Sequence, residues 1–326
     1  RQAAEPDRDL YDLATWEVRT PVDRIASAIY RDVVRSGTVV VILAILILLA
    51  QVTLIGITVQ RDPLIAIYIT LSIVPALALA LFVGRLDVSD EPLTLLVGTF
   101  LLGFLFAGFA AIVNSQLVSF AQVVPFGMVL FFFFIVGPVE EFVKILAVRL
   151  YAYRSSSFHA VIDGAVYGAM AGLGFATIEN SLYITQRYVQ ATGGDAGSVL
   201  LATAQIAVIR TFAGPGHVIY SAFAGYYLGL AKFNSENAGP IIVKGLLIAT
   251  IIHGLYNTLI NYLVNIQSAL GLQAIPTGIL FILFVLVYDG VFGFALYRKL
   301  SRYRRAFRES GAVEHLKGPG MDDELQ

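Results

Sequence analysis

Long apolar runs alternate with short polar segments along most of this chain. Runs of the length a helix needs to cross a bilayer, about 20 residues, occur at 37–59, 64–84, 93–114, 120–150, 161–183, 199–231, 241–263 and 275–297. The pattern predicts an all-α fold: a polytopic transmembrane helical bundle of about eight spans. Two of the runs exceed a span and contain helix breakers, Gly137-Pro138 in the fourth and Gly214-Pro215-Gly216 in the sixth. Both are expected to be kinked or broken, at places where neighbouring protein or a polar cavity satisfies the freed backbone groups. The fifth run carries Gly164, Gly168 and Gly172 at i, i+4 and i+8, a smooth strip suited to close helix packing.

Charge is concentrated at the two ends. Of the 22 Lys+Arg and 23 Asp+Glu, 13 lie in residues 1–37 and 12 in 298–326, leaving 20 for the 260 residues between. A soluble fold carries about 25% charged residues, and this chain has 14% with a mean hydropathy of +0.77. The absence of cysteine excludes a disulfide framework and a thiolate-bound metal. The small net charge of -1 argues against a nucleic-acid partner.

The first run follows a charged arm rather than a short basic segment, and no A-x-A-like site follows it, so it reads as a retained span and not a signal peptide. The arm, 1–36, is expected to hold an amphipathic surface helix from Pro21 to Arg35, with Ile25, Ile29, Val33 and Val34 on its apolar side. Residues 37–300 form the transmembrane domain, and 301–326 a basic and then solvated tail. Arg19, Arg24, Arg31 and Arg35 precede the first span; Arg85, Arg149, Arg154, Lys232 and the basic residues from Arg298 to Arg308 mark alternate loops, against Arg61 and Arg187 on the other side. The positive-inside rule then places both termini in the cytoplasm of a multi-pass cell-membrane protein.

Ionisable groups inside spans are costly and are functional candidates. The apolar runs contain Glu140, Glu141, Lys144, Glu179, Arg210, His217 and His253, with Asp163, Lys244 and Asp289 nearer the ends. Imidazole and carboxylate without thiolate suit a Zn²⁺-type site. Glu140 and Lys144 are i, i+4 and expected to pair, while Glu141 lies about 100° round the helix. Glu179 is followed by Asn180; His217 and His253 have Ser221 and Asn257 one turn on. His159 and His315 fall in a loop and in the tail, and no role is assigned to them.

In this order, Glu140-Glu141-x-x-Lys144, then Asp163-Gly164 with Phe175-x-x-x-Glu179-Asn180, then His217, then His253-Gly-Leu-Tyr-Asn257, the motifs resemble the PrsW family of intramembrane metalloproteases, relatives of the CAAX-processing and bacteriocin-immunity-type membrane proteases. The resemblance covers residues 125–262. CAAX-type relatives carry His at the place of Glu179 and Arg in place of Lys144, which favours the PrsW branch. The resemblance implies hydrolysis of a peptide bond in or near the bilayer, in a membrane-anchored substrate of the anti-sigma-factor type.

On that footing Glu179, His217 and His253 are expected to hold Zn²⁺, with Glu141 as general base and Asn257 as oxyanion donor. Glu140 would pair with Lys144, and Arg210 with a site carboxylate or a substrate carbonyl. Exchange of the two glutamates, a ligand role for one of them with Glu179 behind it, and metal-free activation of water by a glutamate and a histidine stay open. So do two other classes, a proton- or cation-coupled transporter and a non-catalytic membrane scaffold. At 1.5 Å per residue Glu179 lies about 27 Å into its span and His253 about 18 Å into its own. They meet only if the spans tilt or start at different depths.

Overall fold

The structure, a computed structural model, describes residues 21–309 and, within them, the side chains from Val41 onward and that of Arg24. The chain divides into two units, residues 1–46 and 47–326. The apolar face expected at Pro21–Arg35, the rest of the arm before it and the tail from Ser310 lie outside the described residues.

All regular structure among the described residues is helical. The elements are α1 (Pro21–Arg61), α2 (Leu64–Gly84), α3 (Leu93–Gln122), α4 (Gly127–Phe131), a π-helical turn (Phe132–Val136), α5 (Gly137–Leu150), α6 (Val161–Ala191), α7 (Ala196–Lys232), α8 (Ala238–Asn261), α9 (Leu263–Ala269) and α10 (Thr277–Glu309). Seven helices among the described residues are long and apolar enough to cross a membrane: α1 from Val41, α2, α3, α6, α7, α8 and α10. They expose Leu49, Val52, Leu71, Leu81, Leu101, Leu286 and Val287, aliphatic surface that only lipid would cover without cost. The chain is a multi-pass membrane protein. α1 is one helix from Pro21 to Arg61.

The fourth expected span is a composite. Residues 120–122 complete α3, the chain turns at Phe126, which is held in the left-handed region at φ 57°, and α4, the π turn and α5 then follow end to end with 5, 5 and 14 residues. Gly137-Pro138 does not break it. The Gly137 N–H reaches back five residues to the Phe132 carbonyl, and this widened turn makes room for the Pro138 ring, which would clash with the carbonyl four residues earlier in a regular α-helix. One extra residue in a turn rotates everything after it by about 100°.

The expected break in the sixth span is also absent, since α7 continues for 37 residues with Pro215 inside it. Proline removes the N–H that would bond the Thr211 carbonyl and loosens the preceding turn, and one position before that carbonyl a neighbouring helix braces the turn: the Asn180 amide gives one hydrogen to the Arg210 carbonyl on α7 and the other to the Ser72 carbonyl on α2, both at 3.1 Å. Pro75 lies just beyond Ser72 in α2. One amide therefore serves two proline-containing turns.

α6 is the centre of the bundle and packs chiefly on α7, then on α3 and α2. The glycine strip behaves as its spacing suggests. A β-carbon at Gly164, Gly168 or Gly172 would run into the carbonyl oxygens of Gly225, Ser221 and His217 respectively. The contact is backbone to backbone, and it sets His217 directly against α6.

Candidate active site

Five elements contribute to one polar cluster buried in this bundle. α5 brings Glu140, Glu141 and Lys144, which are 4%, 0% and 0% exposed. α6 brings Glu179 and Asn180, α7 brings Arg210, His217 and Ser221, α8 brings His253, and α3 brings Asn114. The difference in depth is taken up because α6 starts at Val161 and α8 already at Ala238. That puts Glu179 about 27 Å and His253 about 22 Å along their helices.

Lys144 is the hub of the inner half. Its Nζ lies 2.7 Å from Glu141 Oε1 and 2.9 Å from His217 Nδ1, and 4.3 Å above the Phe175 ring. The i, i+4 partner expected from sequence, Glu140, stands farther off at 3.9 Å. Positions i+3 and i+4 border each other on a helix, and the imidazoles decide between them: Glu141 Oε1 also takes the His253 Nδ1 proton at 2.9 Å, and its Oε2 faces the Ser221 hydroxyl at 3.5 Å. Glu141 is thus enclosed by three partners.

Glu140 is the freer carboxylate. Oε1 accepts from the Asn114 amide at 3.0 Å, while Oε2 is buried without a hydrogen-bond partner. That atom faces His253 Nε2 at 3.8 Å and His217 Nδ1 at 4.0 Å. With Nδ1 donating to Glu141, the neutral His253 ring carries a lone pair on Nε2. Two acceptors therefore point at each other, which is stable only with a cation or a proton donor between them. Glu140, His217 and His253 each offer a ligand atom within 4.8 Å of the others.

Glu179 sits at the outer half of the cluster. Its Oε2 is 2.6 Å from Arg210 Nη2 and 2.9 Å from His217 Nε2, and Arg210 Nε bonds the Asn180 carbonyl oxygen at 2.8 Å. Asn180 has both donors and its acceptor engaged, so it fixes Arg210 and through it Glu179. Asn180→Leu should strip Arg210 Nε of its acceptor and the Ser72 and Arg210 carbonyls of one donor each and lower stability by about 1–3 kcal/mol, seen as a lower unfolding midpoint in detergent.

A cavity of about 520 Å³ opens over Glu140, Glu179, His217, His253, Asn257 and Arg210. Glu141 and Lys144 do not line it. Its other wall is apolar, with Ala107, Ala111, Val118, Met128, Phe131 and Phe132. Tyr220 stacks on His253 with ring centroids 5.2 Å apart, and Phe175 lies 5.3 Å from His217, so both imidazoles are held by aromatic neighbours. Asn114 and Tyr220 escaped the sequence reading. Asn114 is a lone amide at the end of an otherwise apolar run, and that polarity was its signal.

The family model described as PrsW family intramembrane metalloprotease matches residues 91–289. Curated relatives bearing the name Protease PrsW include one from Halalkalibacterium halodurans, 29% identical over 196 residues, or 59% of this chain and 82% of the relative. One from Oceanobacillus iheyensis is 29% identical over 192 residues, 58% and 80%, and one from Bacillus subtilis 28% identical over 200 residues, 60% and 84%. No solved structure matches the chain.

Proposed function

Because the chain belongs to the PrsW family of intramembrane metalloproteases and is a membrane peptide hydrolase, we propose that it cuts a membrane-anchored protein in or near its membrane segment, with Glu140, His217 and His253 as the holders of a divalent metal. The observation that carries this reading is the buried Glu140 Oε2, without a hydrogen-bond partner and facing His253 Nε2 at 3.8 Å. A carboxylate and two imidazoles without thiolate favour Zn²⁺. When bound, such an ion supplies Lewis acidity and a water that ionises near neutral pH.

The chain's own groups do the rest. Glu141 accepts the Nδ1 proton of His253 and so turns Nε2 toward Glu140, the carboxylate–histidine relay common behind metal ligands. Asn114 fixes the other oxygen of Glu140. Glu179 lines the cavity and is held in place by the Arg210 guanidinium; it takes the proton from water and passes it to the leaving amine. The Asn257 amide, in the cavity wall, donates to the carbonyl oxygen as it becomes anionic. The cavity reaches toward Val118, Met128 and Asn261 at the ends of α3, α4 and α8, away from the loops holding Arg85, Arg149 and Lys232. With positive loops inside, a substrate enters from the extracytoplasmic half of the bilayer. Anti-sigma-factor-like proteins, the type implied by the sequence resemblance, are the first candidates.

A second reading rests on His217. Both its ring nitrogens are engaged, Nδ1 by Lys144 and Nε2 by Glu179, so a metal there must displace one of them. Without metal, Glu140 would itself take the proton from a water held against His253. Purified protein in lipid nanodiscs with a membrane-anchored substrate tests both. The metal reading expects about one equivalent of Zn²⁺ per chain, its loss in His217→Ala and His253→Ala, and no cleavage after chelation until Zn²⁺ is restored. Full cleavage by metal-free protein would establish the second reading, and no cleavage under any condition would remove both.

A further inference from the structure

Asp163, next to the first glycine of the α6 strip, takes no part in the active site. It is fully buried, and Asp87 and Glu91 from the α2–α3 loop converge on it, so that one oxygen from each of the three lies within 4.8 Å of the others. The protein satisfies one oxygen of each carboxylate. The Val88 N–H donates to Asp87 Oδ1 at 2.8 Å, the Tyr167 hydroxyl to Glu91 Oε2, and the backbone N–H groups of His159 and Ala160 to Asp163 Oδ2 at 2.7 and 2.9 Å. The other three oxygens, Asp87 Oδ2, Glu91 Oε1 and Asp163 Oδ1, are buried with no hydrogen-bond partner.

We propose that Asp87, Glu91 and Asp163 form a second cation site, separate from the active site, for one hard divalent ion of the Mg²⁺ or Ca²⁺ class. The decisive atom is Asp163 Oδ1. Its side chain is wholly removed from solvent, both nearby backbone N–H donors are spent on the other oxygen, and Asp87 and Glu91 bring further carboxylate oxygens beside it. An unanswered buried carboxylate oxygen is costly, and one divalent ion answers three of them. An all-oxygen donor set selects a hard ion over zinc or copper. Lys232, a nearby cation, donates instead to the Tyr153 and Ser155 carbonyls at 2.8 and 3.2 Å. The ion would tie the α2–α3 loop to the start of α6, the helix that carries Glu179.

Terbium luminescence on the full chain in detergent tests this directly, because Tyr167 touches Glu91 and can sensitise a bound Tb³⁺. Wild type should show saturable emission displaced by Ca²⁺ or Mg²⁺, and whichever ion displaces at lower concentration identifies the resident. Emission should fall about tenfold in Asp87→Asn/Glu91→Gln, as expected when ligand charge is removed, and persist in His253→Ala, which separates this site from the active site. The unfolding midpoint of wild type should rise by several degrees with the displacing ion and that of the double variant should not. If the double variant fails to fold, Asp87→Asn alone should show the same loss. Absence of saturable emission, emission unchanged in the Asp87 and Glu91 variants, or a double variant at least as stable as wild type with or without cation would overturn the proposal, the last being the result expected of carboxylates that share protons.

Discussion

Glu140→Gln is expected to lower cleavage by about 10²–10⁴-fold while leaving the bundle folded, whereas Glu141→Gln is expected to damage the fold first. The two residues are neighbours in sequence and opposites in environment. Glu140 has one oxygen on Asn114 and one facing the cavity, and Gln preserves its shape and the Asn114 contact while removing the charge. Glu141 is the closer counter-charge of Lys144, at 2.7 Å against 3.9 Å for Glu140, and the ammonium is completely buried. Removing one partner of such a pair strands the other, at about 3–5 kcal/mol. The double change Glu141→Gln plus Lys144→Met should recover most of the stability, because it deletes both charges. Unfolding midpoints, cleavage rates and metal content on the same preparations separate the effects. An active Glu140→Gln beside a stable but inactive Glu141→Gln would reverse the assignment. Glu179→Gln should keep the metal and lose the activity if it is the proton acceptor.

Gly225→Val and Gly168→Val are expected to cost as much without touching a catalytic group. At Gly225 the new side chain meets the Gly164 carbonyl and at Gly168 the Ser221 carbonyl, and backbone cannot swing aside as a side chain can. Overpacking costs about 1–3 kcal/mol where side chains adjust, and these sites should lie at or above that ceiling. Because the same seam holds His217 on α7 at 2.9 Å from Glu179 on α6, any folded fraction should also be slow. Gly193, with open space around its missing β-carbon, is the control: Gly193→Val should leave yield and rate unchanged. Normal yield and rate in both strip variants would show that the close seam is dispensable.

Much of this was legible in the sequence. Hydrophobic run length gave the helices, glycine spacing gave the close-packing strip of α6 though not its partner α7, and the rarity of buried charge singled out Glu140, Glu141, Lys144, Glu179, Arg210, His217 and His253, all of which the fold gathers. What the sequence hid was orientation. Spacing along a regular helix pairs Glu140 with Lys144, but the π turn at Phe132–Val136 rotates α5 against its neighbours, and the imidazoles then select Glu141 as the closer partner. Nothing in a one-dimensional pattern announces an extra residue in a turn. Pro215 misled for a related reason: a proline reads as a break until the helix beside it is known, and Asn180 supplies the missing support from thirty positions upstream. The acidic cluster was hidden because Asp87 and Glu91 look like ordinary loop charges until the fold buries them against Asp163.

The placing of the reactive groups on one cavity wall constrains what kind of substrate can react. In a helix each carbonyl is held by the N–H four residues on, so a coiled segment lying over Glu140 and His253 offers the site no free carbonyl. Cleavage therefore requires the substrate to uncoil locally before it enters, and the energy of that uncoiling becomes part of the barrier. Turnover should then follow how easily a segment loses its helix, through glycine, proline or β-branched residues near the scissile bond, more closely than any side-chain consensus. On this view the protease selects among membrane proteins by their mechanical weakness.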